Sequence, residues 1–236
     1  MTLTALIRSV PKHGREDQAN EDYALADPSC GRAAIADGAS TSARPELWAR
    51  LLVESFVLER SDPLAPESLA ALRRRWKDQA DGPDLAWYAK AKLVEGAHAT
   101  FVGLEIDVAS SSYRARIVGD SCLLHLRQRE LLSAVPIDDP AMFGRFPDLV
   151  SSRQDIPPVA GHYEGEFQPG DLLVLATDAI AKYLLRYRQG PSRVRSVARL
   201  IHRPAYFREV VTQLRRDGLL DNDDTTLCAV QTGAVR

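Results

Sequence analysis

The sequence predicts an α+β protein in which helices cover stacked antiparallel sheets. Three observations lead there. Strand-like runs come in groups separated by short polar turns, which is the pattern of antiparallel pairing. Helical periodicity is confined to two blocks, so the order runs strands, helices, strands, helices, strand. Runs such as 33–36 and 172–176 are apolar throughout and read as buried strands. A length of 236 residues suits one domain, 1–236, with a substantial core.

Residues 2–10 alternate loosely and predict a first strand, followed by a polar loop over 11–20. Strands over 23–26 and 32–37 flank the turn Asp27-Pro28-Ser29-Cys30-Gly31 and read as an antiparallel pair. Pro45 opens a helix whose apolar stripe is Leu47, Leu51, Leu52, Phe56 and Leu58, with Arg44 or Ser42 near its cap. A second helix spans 66–79, with Leu69, Leu72 and Trp76 on one side. The alanines of 85–97 predict a third. Strands follow over 100–107, 113–118, 122–127 and 131–135. Residues 137–158 hold four prolines and weak periodicity, the marks of a long flap-like loop. Runs over 162–167 and 171–177 around Gln168-Pro169-Gly170 predict a hairpin. Helices over 180–187, 193–202 and 205–217 precede a closing strand over 225–231.

Composition narrows the class. Hydrophobic residues make up 45% and charged residues 26%, values of a water-soluble globular chain. No apolar run approaches the ~20 residues that cross a bilayer, and residues 1–8 lack a signal-peptide layout. A cytoplasmic protein without a membrane partner is expected. Cys30, Cys122 and Cys228 are widely spaced and read as small buried thiols rather than a disulfide or zinc framework. The five histidines show no metal-ligand spacing. Between residues 182 and 216, ten Lys and Arg face the lone acid Glu209, a net +9. That segment reads as a solvated helical face, or as a dock for an anionic partner or phosphorylated substrate. No binding motif or aromatic platform accompanies it, so nucleic acid is not the expected partner.

The informative feature is a set of acids at strand ends. Asp37 closes Ala33-Ala34-Ile35-Ala36 and is followed by Gly38, whose lack of a side chain permits a turn and a close carbonyl. Asp120 follows Arg116-Ile117-Val118-Gly119, and Asp178 follows 172–177. Asp223 and Asp224 precede Thr225-Thr226-Leu227, and Glu21 and Asp22 precede Tyr23. Clustered bare carboxylates repel and raise one another's pKa. Divalent cations relieve that conflict, and oxygen-only donors suit Mg²⁺ or Mn²⁺. Two such ions ~3.5–4 Å apart can activate a water and hold a phosphate. An EF-hand starting at Asp221 fails, because its sixth and twelfth positions hold Thr226 and Thr232.

Asn20-Glu21-Asp22, Asp37-Gly38, Val118-Gly119-Asp120-Ser121, Ala176-Thr177-Asp178 and Asp223-Asp224-Thr225-Thr226 occur in the order seen in metal-dependent serine/threonine phosphatases of type 2C. The chain resembles that family over nearly its whole length, most of all its compact bacterial branch. The resemblance implies an αββα sandwich and a dinuclear Mn²⁺ or Mg²⁺ site at one end. By position, Asp37 would bridge both ions and the Gly38 carbonyl would bind one. Asp178 and Asp223 would hold the other, Glu21 and Asp22 would act through water, and Asp120 would support a third ion. Asp17 stands where the family has its phosphate-binding arginine, leaving Arg15 and Lys12 as candidates for that task. Ala39 replaces a histidine found after Asp-Gly in many eukaryotic members. Ala179, Lys182 and Cys122 also depart from the pattern, and Lys182 removes an acid from the third metal position.

Two functions are carried forward. One is phosphoserine or phosphothreonine hydrolysis in protein substrates by a metal-bridged hydroxide, alongside a partner serine/threonine kinase or its targets. The alternative is a degenerate domain that binds a phosphoprotein or kinase without turnover.

Overall fold

The computed structural model describes residues 2–81, 92–128, 130–144, 147–153, 158–186 and 200–233. Its strands are β1 (Thr2–Val10), β2 (Tyr23–Asp27), β3 (Arg32–Ala36), β4 (His98–Ala99), β5 (Phe101–Asp107), β6 (Ser112–Val118), β7 (Cys122–Arg127), β8 (Glu130–Val135), β9 (Val150–Ser151), β10 (Gly161–Glu166), β11 (Leu172–Ala176) and β12 (Thr225–Gly233). Its described helices are α1 (Pro45–Val57), α2 (Pro66–Ala80), α3 (Asp178–Arg186) and α4 (Pro204–Arg216). One five-stranded sheet runs β1-β12-β11-β7-β8, and the other runs β10-β6-β5-β3-β2. Every pairing is antiparallel.

The apolar runs are continuous because each feeds two cores. In β3, Ala33 and Ile35 join the layer between the sheets, while Ala34 and Ala36 face α1 and α2. In β11, Leu173 and Leu175 point between the sheets, and Val174 and Ala176 face α3 and α4. The α+β class and the helix–sheet–sheet–helix layering expected from sequence are both present. The α1 stripe docks where the sheet is thin. Ala34 lies opposite Gly103 in β5, and a Cβ on Gly103 would come within 2.9 Å of the Phe56 ring. Trp48 is fully buried and donates its indole N–H to the Val150 carbonyl at 2.8 Å, tying α1 to β9.

One expectation needs revision. The runs over 162–167 and 171–177 are not a hairpin: β10 is the edge of one sheet beside β6, whereas β11 is central in the other. Their burial differs accordingly. β10 alternates between partly covered and exposed residues, and β11 is almost wholly buried. The four strands from β5 to β8 form two hairpins in different sheets, with the chain crossing over at Gly119-Asp120-Ser121. The helix expected over 85–97 falls mostly outside the described residues. Its described part is helical over 92–95 and ends before β4. The helix expected over 193–202 is described only from 200.

Candidate metal centre

Antiparallel topology carries the acids to one pole. Tyr23 pairs with Ala36, so Asp22 and Asp37 leave the same end of the β2–β3 pair. Ala176 pairs with both Cys122 and Leu227, so Asp120, Asp178 and Asp223 leave the matching end of the other sheet. Val10 pairs with Thr225 and brings Lys12 there too. Hydroxyls stitch the two sheets together at this end. Thr177 donates to Asp22 Oδ2 at 3.1 Å. The Asp37 N–H donates to Thr100 Oγ1 at 3.1 Å, and that hydroxyl lies 2.6 Å from Ser121 Oγ.

The electrostatics are those of crowded, desolvated carboxylates. Asp22 and Asp37 are pushed well above the usual range by burial, with further contributions from the neighbouring acids. For Asp37 those neighbours are Asp22, Asp178, Asp223 and Asp120. Asp178 rises to about 7, from burial and the charges of Asp120 and Asp223, despite its place at the favourable N-terminus of α3. Asp120 rises to about 6, chiefly from burial.

Glu21, Asp22, Asp37, Asp120, Asp178 and Asp223, all named from sequence, therefore lie at this one pole. Gly38 sits among them, and its N–H donates to the Glu21 carbonyl at 3.2 Å. A Cβ at Gly38 would lie 2.7 Å from that same carbonyl oxygen and 2.9 Å from Pro45, so the backbone passes where a side chain cannot. Arg15 stands at the rim, about half exposed, 3.5 Å from Glu21 Oε1. Asp17, at the position of the missing arginine, pairs with Arg208 of α4 at 2.8 Å.

Sequence reasoning missed the supporting groups. Asp224 is buried and accepts the Lys12 N–H at 2.7 Å and the Glu21 N–H at 2.9 Å, locking two loops to β12. The pair Asp223-Asp224 is a signal for two acids, but not for their division of labour. Arg215, one of the ten basic residues between 182 and 216, turns inward. It donates to the Pro11 carbonyl at 2.7 Å, to Thr225 Oγ1 at 2.9 Å and to the Asp223 carbonyl. Lys182 pairs with Asp221 at 2.8 Å. Part of the +9 segment is thus spent inside the molecule, and residues 187–199 of it lie outside the described residues.

The donor set fits a hard divalent cation: it is oxygen-rich, buried at Asp22 and Asp120, and its acids outnumber the cations Lys12 and Arg15 that touch it. Asp22 Oδ1 is buried without a hydrogen-bond partner, although its residue is only 8% exposed. Such an orphan acceptor is costly unless a ligand completes it. Among the described residues, no group of three or more His, Cys, Asp or Glu side chains is drawn together closely enough to hold an ion.

Two stacked antiparallel sheets between helical layers, with acids at one pole, make this the type 2C phosphatase fold. Solved structures that share it include PppA, a key regulatory component of the T6SS in Pseudomonas aeruginosa, at 21% identity and TM-score 0.63 over 98% of each chain. The catalytic domain of the serine/threonine protein phosphatase PstP, in complex with two manganese ions, aligns at 21% identity and TM-score 0.62 over 99% of each chain. The photosystem II phosphatase PBCP aligns at 15% identity and TM-score 0.62 over 99% of this chain and 100% of its own. No family profile and no curated protein sequence matches the chain. Among the described residues no helix is long and apolar enough to cross a membrane.

Proposed function

We propose that this chain is a metal-dependent phosphatase of phosphoserine and phosphothreonine in proteins. The observation that carries the reading is the acidic pole, above all the orphaned Asp22 Oδ1 facing a cluster whose own charges are unbalanced. A solved structure of the same fold with two manganese ions supports it. Asp37, Asp178 and Asp223 are the proposed metal ligands and catalytic carboxylates, aided by the Gly38 carbonyl. Asp22 and Glu21 act through water, and Asp120 serves a weaker third position. Bound there, Mn²⁺ or Mg²⁺ would supply Lewis acidity, lowering the pKa of a water and neutralising phosphate charge.

The chain's own residues divide the remaining work. The Thr100–Ser121 hydroxyl pair fixes the Asp37 backbone. Asp224 positions the loops that carry Lys12 and Glu21. Of the two candidates for the phosphate, Arg15 is the better placed. The Lys12 ammonium spends its three donors on Glu21, Asp223 and Ser40, whereas the Arg15 guanidinium is 47% exposed and touches the cluster only at 3.5 Å. Ala39 offers no proton, so protonation of the leaving oxygen falls to solvent.

Turnover of an aryl phosphate is expected to require Mn²⁺ and to collapse by at least two orders of magnitude in Asp37→Ala or Asp178→Ala, the scale of a lost electrostatic catalyst. Full activity in either variant would refute the assignment. One observation favours the competing reading, a phosphoprotein-binding domain without turnover: a lysine occupies the acidic cluster. Calorimetry separates the two, since a pure binding module takes up phosphopeptide without tight Mn²⁺ uptake.

A further inference from the structure

Lys12 is held at both ends. Its backbone N–H donates to Asp224 Oδ1 at 2.7 Å. Its Nζ lies 2.9 Å from Glu21 Oε2, 3.0 Å from Asp223 Oδ1 and 4.0 Å from Asp224 Oδ2, and it also donates to Ser40 Oγ. The side chain is 15% exposed. An ammonium has three N–H donors and no acceptor, so here every donor is used. Glu21 is committed in turn: the same Oε2 accepts from Ser40 Oγ at 2.5 Å, and Oε1 faces Arg15.

A cation bound to two carboxylates and a hydroxyl does what a metal would do on that side of the pocket. It offsets the negative charge of Asp223 and Glu21 and occupies the space between them. A divalent ion approaching Asp223, whose side chain is 41% exposed, meets the like charge of Lys12 at contact distance, well inside the Debye length. The other side differs. Asp22 keeps an unpartnered buried oxygen there, and the contacts of the Lys12 ammonium are with Glu21, Asp223, Asp224 and Ser40.

We propose that Lys12 is a tethered counter-ion that fills the Glu21–Asp223 side of the pocket in place of a divalent cation, leaving the Asp22–Asp37–Asp178 side as the one open to metal. This rests on the phosphatase reading and refines it. The protein loads its first ion readily, and any further ion must displace an ammonium.

The test is Mn²⁺ calorimetry on the full chain after stripping with EDTA. Lys12→Met is expected to take up one more tight equivalent than the unsubstituted protein, or to bind its last equivalent at least tenfold more tightly. Lys12→Arg keeps the charge and is expected to show no such gain. Lys12→Gln keeps two N–H donors without charge, and replaces Lys12→Met if circular dichroism shows that variant unfolded. Uptake by the neutral variants alone supports the proposal. Unchanged stoichiometry and affinity in a folded neutral variant overturns it and leaves the phosphatase reading standing. An equal gain in Lys12→Arg overturns it as well, since a retained positive charge would then not exclude the ion. Absence of Mn²⁺ uptake in every protein overturns both readings.

Discussion

Asp224 shows how much a single buried carboxylate can organise. It is 2% exposed, and its two oxygens accept backbone N–H groups from Lys12 and Glu21. Bonds of this kind to a charged acceptor contribute about 1.5–3 kcal/mol each. Asp224→Asn keeps one acceptor and points an amide N–H at a backbone N–H, so it should cost about 2–3 kcal/mol. Urea unfolding reads this directly, and an unchanged midpoint would count against the clamp. Arg15 belongs to the same scale. Arg15→Ala should raise KM for an aryl phosphate about tenfold, the worth of one charged hydrogen bond, with Mn²⁺ affinity unaltered. A KM equal to that of the unsubstituted protein would remove Arg15 from phosphate recognition.

At the scale of elements, α1 and the β7–β11 pair carry separable predictions. The Phe56 ring rests on Gly103, so Gly103→Val should overpack the α1 interface and cost about 1–3 kcal/mol. Thermal melting checks it, and an unchanged melting point would mean that α1 can shift freely. At the opposite end of β11, Asp171 is 1% exposed and accepts from Arg127 Nε and Nη2, from His125 and from the Gln168 N–H. Burial works against its charge, but those bonds outweigh burial and lower its pKa to about 2. A carboxyl with a folded pKa below its unfolded value stabilises above the unfolded value. That stability, about 2 kcal/mol, is present above pH ~4 and disappears as pH falls toward 2. Asp171→Asn should lower stability at neutral pH and flatten the acid-unfolding curve between pH 4 and 2. An acid titration that superimposes on the parent's would contradict this.

For the whole molecule, the acidic pole couples the two sheets. Asp22 and Asp37 come from one, Asp178 and Asp223 from the other, and Asp120 from the segment that crosses between them. A cation shared by these groups would bind the folded state and have no comparable site in the unfolded chain. Mn²⁺ at a hundred times its Kd should therefore stabilise by about 2.7 kcal/mol. The melting point should rise on addition and fall back with EDTA, and Asp37→Asn should lose most of the shift. A melting curve indifferent to Mn²⁺ would argue against a metal centre at any of these residues.

Much of this was written in the chain. Unbroken apolar runs such as Ala33–Ala36 require burial on two faces, and two faces require layers. Acids placed just beyond such runs land at sheet ends whatever the loops do, so Asp37, Asp120, Asp178 and Asp223 were legible one by one. The tertiary structure alone decided which strands became neighbours, and it separated β10 from β11 although a short turn joins them. It alone placed Lys12 against Asp223 and turned Asp224 into a clamp on residues more than 200 positions away. The physical reason is that periodicity encodes which face of a strand is buried, a property of neighbours in sequence. The pairing of one ammonium with particular carboxylates depends instead on loops meeting in space, and those loops carry no pattern that announces it.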